Sequence, residues 1–292
     1  MYNSMKSYLK SNTFLNKNVI VTGACGAIGS RVIEKLLECG AKVIGFMHNQ
    51  NNFNDNISEY IKKNKLKFIK TEIKYGQKVT EHFKEAMIEL KGRLDILICC
   101  HGKYFAGNVI DTDADDFDDN ININVRANFQ LLSLSVPFLK ISKGNAVMIS
   151  SVDTKIVEKG DFLHALNKSM INSLVQNSAL ELASFGVRIN AVAPGFVNSN
   201  FRNNAMNDNE RYLKMMKEYC LLNKKIIEPE DVAETILFLA SDEANFMTGE
   251  IVNIDCGFEL NHDTSFLQKD EIENDNFLQN DEDNFNNINN YY

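Results

Sequence analysis

The chain has 292 residues, of which 44% are hydrophobic and 24% charged, with a formal net charge of −8. A globular body of this size builds its core without disulfides or metal. The acidity is concentrated: residues 263–292 hold eight acids against one base, so the rest is nearly neutral. Neither part carries the basic footprint of a nucleic-acid binder, and no apolar run approaches the ~18 residues that cross a bilayer.

Residues 1–15 are polar and rich in Asn, Ser and Lys, and are expected to be a disordered extension. They contain no apolar stretch of the signal-peptide kind, so a cytoplasmic location is expected. A first strand, Asn18–Thr22, leads through a glycine-rich turn into a helix over Ile28–Glu38. A second strand, Lys42–Phe46, ends in the Asn-rich stretch His48–Asn56, which reads as a loop. A strand at Lys67–Lys70, a helix at Lys78–Lys91 and a strand at Ile96–Cys99 follow. Next come a helix over Phe117–Leu139, a strand at Ala146–Ser150, a helix over Leu163–Phe185 and a strand at Arg188–Ala193. Asn198–Lys225 is long for a loop and includes a helical stretch, Glu210–Cys220, which suits a substrate lid. A helix over Glu230–Ala240 and a strand at Ile251–Ile254 close the body, and residues 261–292 are expected to be an acidic, Asn-rich disordered tail.

The strands are continuous apolar runs instead of alternations, so both faces of their sheet should be covered. With helical crossovers between them, this predicts an α/β protein: one doubly wound Rossmann-type domain over residues 16–260 with a seven-stranded parallel sheet. The six cysteines are scattered and form no metal-ligand CxxC pair. They read as small buried residues in a reducing compartment, and no metal site is expected.

The turn after the first strand reads Thr22-Gly23-Ala24-Cys25-Gly26-Ala27-Ile28-Gly29. Glycines between a first strand and a first helix let the backbone approach a phosphate, and the helix N-terminus offers unpaired N–H groups to the anion. This segment resembles the cofactor turn TGxxx(A/G)xG of the short-chain dehydrogenases/reductases, with Ala27 where glycine is more frequent. The resemblance continues through Leu94–Ile98, Asn124, Ser150-Ser151, Lys168, Arg188–Asn190, Ala193–Val197, Glu228–Ala233 and Phe246–Glu250. It covers about residues 16–260.

The resemblance implies a nicotinamide dinucleotide held by Gly23, Cys25, Gly26, Ala27, Ile28 and Gly29 in the turn. It places His48 near the adenosine ribose and Glu72 and Ile73 near the adenine. Cys99 and Gly102 would lie at the end of the fourth strand, and Pro194, Gly195, Val197 and Ser199 near the nicotinamide. NAD-specific sites carry a carboxylate at the end of the second strand; Met47 stands there instead, with His48 beside it. The missing repulsion toward a 2′-phosphate favours NADP(H) over NAD(H).

The resemblance further implies hydride transfer to or from a small-molecule carbonyl or alcohol, with a homodimer or homotetramer built on Phe117–Leu139 and Leu163–Phe185. Its catalytic set falls on Ser151, which binds the reacting oxygen, and Lys168, which holds the ribose. Asn124 supports a water relay. Four residues before Lys168, where the family has its proton-donating tyrosine, stands His164. Residues i and i+4 share a helix face, so His164 and Lys168 address the same space. A phenol beside Lys⁺ stays protonated near neutral pH, whereas an imidazole there is pushed toward its neutral, weakly acidic form. The expectation is that His164 weakens carbonyl reduction, moves its optimum to acid pH, or abolishes it. The family's NNAG segment here reads Cys99-Cys100-His101-Gly102; His101 is expected to share the cavity with His164, and Tyr104 is a substitute donor to be tested. Three activities stay open at this point: an oxidoreductase with an altered proton donor, a dinucleotide-binding protein with little turnover, and a reductase of conjugated C=C bonds.

Overall fold

In a computed structural model the described residues are 9–48, 55–156, 159–199, 201, 220–222 and 226–260. The chain divides into two units, residues 1–258 and 259–292, and of the second only Glu259 and Leu260 are described. The tail expected over 261–292 and most of the expected lid, including its helical stretch Glu210–Cys220 except for Cys220 itself, lie outside the described residues.

The first unit is a single α/β layered fold around a seven-stranded, wholly parallel sheet. Its strands are β1 (Asn18–Thr22), β2 (Lys42–Met47), β3 (Leu66–Lys70), β4 (Ile96–Cys99), β5 (Asn145–Ile149), β6 (Arg188–Pro194) and β7 (Ile251–Ile254), in the spatial order β3-β2-β1-β4-β5-β6-β7. The strand faces separate as period-two geometry demands. Val19 and Val21 of β1 join α1 (Ala27–Glu38) and the last described α-helix, α7 (Pro229–Ala240), in one core. Ile20 turns to the other core, with α3 (Gly76–Glu89), α5 (Ala127–Ser142) and α6 (Phe162–Leu182). Burial on both faces is why the strands lack polar alternation. The order of connection reverses between β1 and β4, and in such sheets the crevice beyond the strand ends at that point is where ligands bind.

Three sequence expectations shift. Phe14, expected in the extension, is 1% exposed, and its N–H donates to the Cys39 carbonyl at 3.0 Å, so the packed body starts earlier than expected. Asp55 and Asn56, at the end of the expected loop, begin α2 (Asp55–Lys62). Ile57 anchors that helix in the core and Tyr60 packs at its edge, so burial overrides weak local propensity. The single helix expected over Phe117–Leu139 is α4 (Ala114–Ile121), a π-helical turn over Asn122–Arg126, then α5. Asp113 caps α4 by accepting from Asp116 N at 2.7 Å. The π turn inserts one residue and rotates Asn124 toward the end of β4.

Polar residues brace the fold as well. Arg188, at the start of β6, donates to the carbonyls of Leu239 and Ser241 at 2.9 Å each. Asn190 donates to the Met247 carbonyl at 2.9 Å and accepts from Glu250 N at 3.0 Å, which seats β7. Among the described residues no helix is long and apolar enough to cross a membrane.

Candidate active site

A cleft of about 1060 Å³ opens over the carboxyl ends of β1, β2, β4, β5 and β6. Its first wall is the turn from β1 to α1. Gly23 has φ +64, and a Cβ there would lie 2.6 Å from the Cys100 carbonyl carbon. At Gly29 a Cβ would lie 2.2 Å from the Gly23 carbonyl oxygen, so only glycine lets the helix start close against the turn. Gly23, Cys25, Gly26, Ala27 and Ile28 line the cleft; Gly29 does not, and acts through packing. Gly26 is the N-cap of α1, with no side-chain cap and no acid in the first turn. Its leading N–H groups and the positive end of its dipole therefore suit a diphosphate.

The second wall is the end of β2 and β3. Met47, with its sulfur 3.5 Å from that of Cys25, and exposed His48 line the cleft with Glu72 and Ile73. The third wall follows β6. Gly195 N donates to the Ile254 carbonyl at 2.9 Å, and Asn198 N to that of Ile227 at 2.8 Å. These bonds fix the backbone along which Pro194, Gly195, Val197 and Ser199 line the cleft.

At the end of β4 the two cysteines point to opposite faces. Cys99 does not line the cleft: it packs in the core shared with α3, α5 and α6, and burial pushes its thiol up to about 12. The next side chain, Cys100, faces the cleft, as strand alternation requires. Its thiol is also raised, by desolvation among the strand ends and then by Cys99. Neither thiol ionises near neutral pH, which removes both as nucleophiles. His101 and Gly102 line the cleft. His101 Nδ1 lies 2.6 Å from Thr22 Oγ1, and Asn128 Nδ2 lies 3.2 Å from Nε2. Desolvation of this half-buried ring at the strand ends, then the charge of Lys168, push His101 down to about 3, so this ring is neutral.

Asn124 sits beside this segment. It is buried and absent from the cleft lining. Its Nδ2 donates to the Lys103 carbonyl at 3.0 Å and its Oδ1 accepts from Lys103 N at 2.9 Å, a two-way brace on the segment after β4.

The back wall holds the titratable groups. Ser151 caps a short 3-10 turn, Val152–Thr154, after β5. Its Oγ accepts from Asp153 N at 3.3 Å and donates to Asp153 Oδ2 at 2.8 Å, so the turn folds the carboxylate back onto the serine. His164, in the first turn of α6, is 5% exposed, and its Nε2 lies 3.2 Å from the same Oδ2. Tyr104 and Phe201 pack on the His164 ring, with centroids at 5.5 and 5.9 Å. One turn further along α6, Lys168 Nζ donates to the Ile149 carbonyl at 2.8 Å, at the end of β5. Ser151, His164 and Lys168 line the cleft; Asp153 does not. Tyr104 also stays outside the lining, with its hydroxyl on Asp161.

Sequence reasoning did not single out Asp153. The signal was the Ser-x-Asp spacing just after a strand, which forms a hydroxyl–carboxylate turn. Serine and imidazole meet through the carboxylate and not directly, so the serine proton goes to Asp153 and a hydrolase triad is not formed. No group of three or more metal-ligating side chains gathers among the described residues.

A family described as Enoyl-(Acyl carrier protein) reductase matches residues 23–259. An uncharacterized oxidoreductase of Thermotoga maritima is 33% identical over 255 residues, covering 84% of this chain and 98% of its own. Short-chain dehydrogenase reductase 5 of Arabidopsis thaliana is 28% identical over 251 residues, covering 84% of this chain and 95% of its own. The structure of a short-chain type dehydrogenase/reductase from Mycobacterium ulcerans aligns with TM-score 0.74 at 24% identity, covering 85% of this chain and 91% of that one; this likeness shows the fold.

Proposed function

The chain belongs to the short-chain dehydrogenase/reductase family and is an oxidoreductase of that type, and on that premise we propose a more specific activity. It transfers a hydride between a nicotinamide dinucleotide, NADP(H) in preference to NAD(H), and the carbonyl or alcohol carbon of a small molecule, with His164 in the place of the proton donor. The observation that carries this reading is that Ser151, His164 and Lys168 line the same cleft as the glycine turn.

When bound, the dinucleotide supplies or accepts the hydride. The turn from Gly23 to Ile28 and the uncapped start of α1 would hold the diphosphate. Lys168, anchored on the Ile149 carbonyl, would hold the ribose hydroxyls. Met47 and His48 at the end of β2 support the NADP(H) preference, since no carboxylate there opposes a 2′-phosphate. His164 gives a proton to the substrate oxygen in reduction and takes it back in oxidation. On the outer surface, Phe129 of α5 is 57% exposed and Leu180 of α6 is 81% exposed, which supports a homodimer or homotetramer through these helices.

A second reading has one observation behind it. The Ser151 hydroxyl donates to Asp153, which draws it from a substrate oxygen and suits a dinucleotide-binding protein with little turnover. Fluorescence titration with NADPH and NADH, then a panel of carbonyl, alcohol and conjugated C=C substrates from pH 5 to 8, separates the readings. Turnover by the wild type that falls as His164 loses its proton supports the oxidoreductase. Turnover that appears only in His164→Tyr supports the second reading. Preference for C=C substrates assigns the chain to alkene reduction, in line with the description of its matched family. Failure to bind either nucleotide excludes all three.

A further inference from the structure

Asp153 stands behind the cleft at 4% exposure, yet its Oδ2 touches two of the polar side chains that line it, Ser151 and His164. A carboxylate withdrawn from water persists as an anion only where donors or a cation replace its hydration. The Ser151 hydroxyl at 2.8 Å and the His164 ring at 3.2 Å stand in those positions.

We propose that Asp153 is a positioning residue for proton delivery: it binds the Nε2–H of His164, fixes the ring against the back wall, and holds it as an imidazolium. This role deepens the oxidoreductase reading and rests on it, whereas the Asp153–His164 pairing is open to test by itself. The sequence alone raised an objection to His164, because a cation on the same helix face favours the weakly acidic neutral ring. Asp153 answers it. An opposite charge in hydrogen-bond contact, in a site screened from water, outweighs a like charge a helical turn away.

The groups around the ring come from several elements. Asp153 lies on the 3-10 turn and Lys168 on α6 itself, while Tyr104, bonded to Asp161, comes from the segment after β4. His101 is neutral and adds no charge. In reduction the Nδ1–H bond of the imidazolium breaks and an O–H bond forms on the substrate as the dinucleotide's hydride reaches carbon. The bonding pair stays on Nδ1, the ring becomes neutral, and solvent returns the proton. Asp153 remains a carboxylate throughout.

The test is nuclear magnetic resonance of the histidine rings in 15N-labelled full-length protein from pH 5 to 9, with His164→Phe to assign the signal. In the wild type the neutral His164 ring should carry its proton on Nε2, facing Asp153; a neutral ring protonated on Nδ1 overturns the proposal without need of any variant. In Asp153→Asn, which keeps the shape and loses the charge, the imidazolium-to-imidazole ratio at a given pH should fall about tenfold. The pH at which reduction declines should move down with it, while NADPH affinity stays within about twofold. An unchanged His164 titration in a folded Asp153→Asn variant overturns the proposal. Asp153→Glu should restore much of the wild-type titration, and its failure to do so while folded also counts against the proposal. If the ring shifts as expected but no substrate turns over, the delivery role and the oxidoreductase reading fall together, and the pairing alone survives.

Discussion

The two ends of the cleft are built by different physics. At the β1–α1 turn the chain works with its backbone: Gly23 and Gly29 admit an approach that any Cβ would block, and α1 begins with its N–H groups uncapped. At the Ser151–Asp153–His164 end it works with side chains, whose meaning depends on one shared carboxylate oxygen. The first end tolerates almost no change of shape and is indifferent to pH. The second is held by hydrogen bonds among ionisable side chains, so it should respond to pH. Binding and chemistry should therefore be separable by mutation.

The largest effect expected is at the side-chain end. His164→Phe should lower turnover by about 10²–10⁴-fold, the usual worth of a positioned proton donor, and leave NADPH affinity within a few-fold. Steady-state kinetics beside fluorescence titration reads both, and a joint loss would merge the two ends into one. At the backbone end, Gly29→Val should cost about 3 kcal/mol or more in urea unfolding, because its Cβ would meet the Gly23 carbonyl oxygen at 2.2 Å.

A third prediction falls between the two ends, on His101. Unfolded, this ring takes up a proton below its ordinary value of 6.5; folded, only near 3. Between those values the unfolded chain binds more protons. The stability His101 contributes is therefore complete above pH 6.5 and is lost as pH falls toward 3, by up to about 1.4 kcal/mol per pH unit. Urea titrations from pH 7 to 4 should show this slope in the wild type and a shallower one in His101→Asn. The smallest effect lies outside the cleft. Arg31, which joins Glu34 at 2.7 Å and Glu230 at 2.6 Å on the α1–α7 surface, is 40% exposed, and Arg31→Gln should cost less than about 1 kcal/mol.

The same contrast explains what could be read from the residues in order. Every strand was legible to within a residue or two, and most readily the inner ones such as β1 and β4, because a strand buried on both faces is apolar. The glycine turn was legible because two of its requirements are local, the positive φ of Gly23 and the contact of Gly29 with the Gly23 carbonyl. Which of Cys99 and Cys100 turns its side chain to the cleft was not legible: the order of residues says nothing of which face meets the cleft until β4 is paired with β1 at Thr22. The brace that Asn124 makes to the segment after β4 was not legible, since the π turn that carries it has no strong sequence mark. The helix over Asp55–Lys62 was hidden by its asparagines, and Phe14 by its polar neighbours, since each is decided by a distant apolar surface.

By itself the sequence determined the doubly wound sheet, the order of its elements and the backbone of the nucleotide turn. These follow from burial periodicity and from conformations that only glycine adopts, and both act between residues near in the chain. Tertiary structure alone decided which polar groups share a proton. Ser151 and Asp153 are two residues apart and His164 lies eleven residues beyond Asp153, and their meeting on one oxygen depends on how the 3-10 turn folds back and where α6 seats against β5. A hydrogen bond is made or lost within a fraction of an ångström, and no spacing rule along a chain fixes a distance that finely.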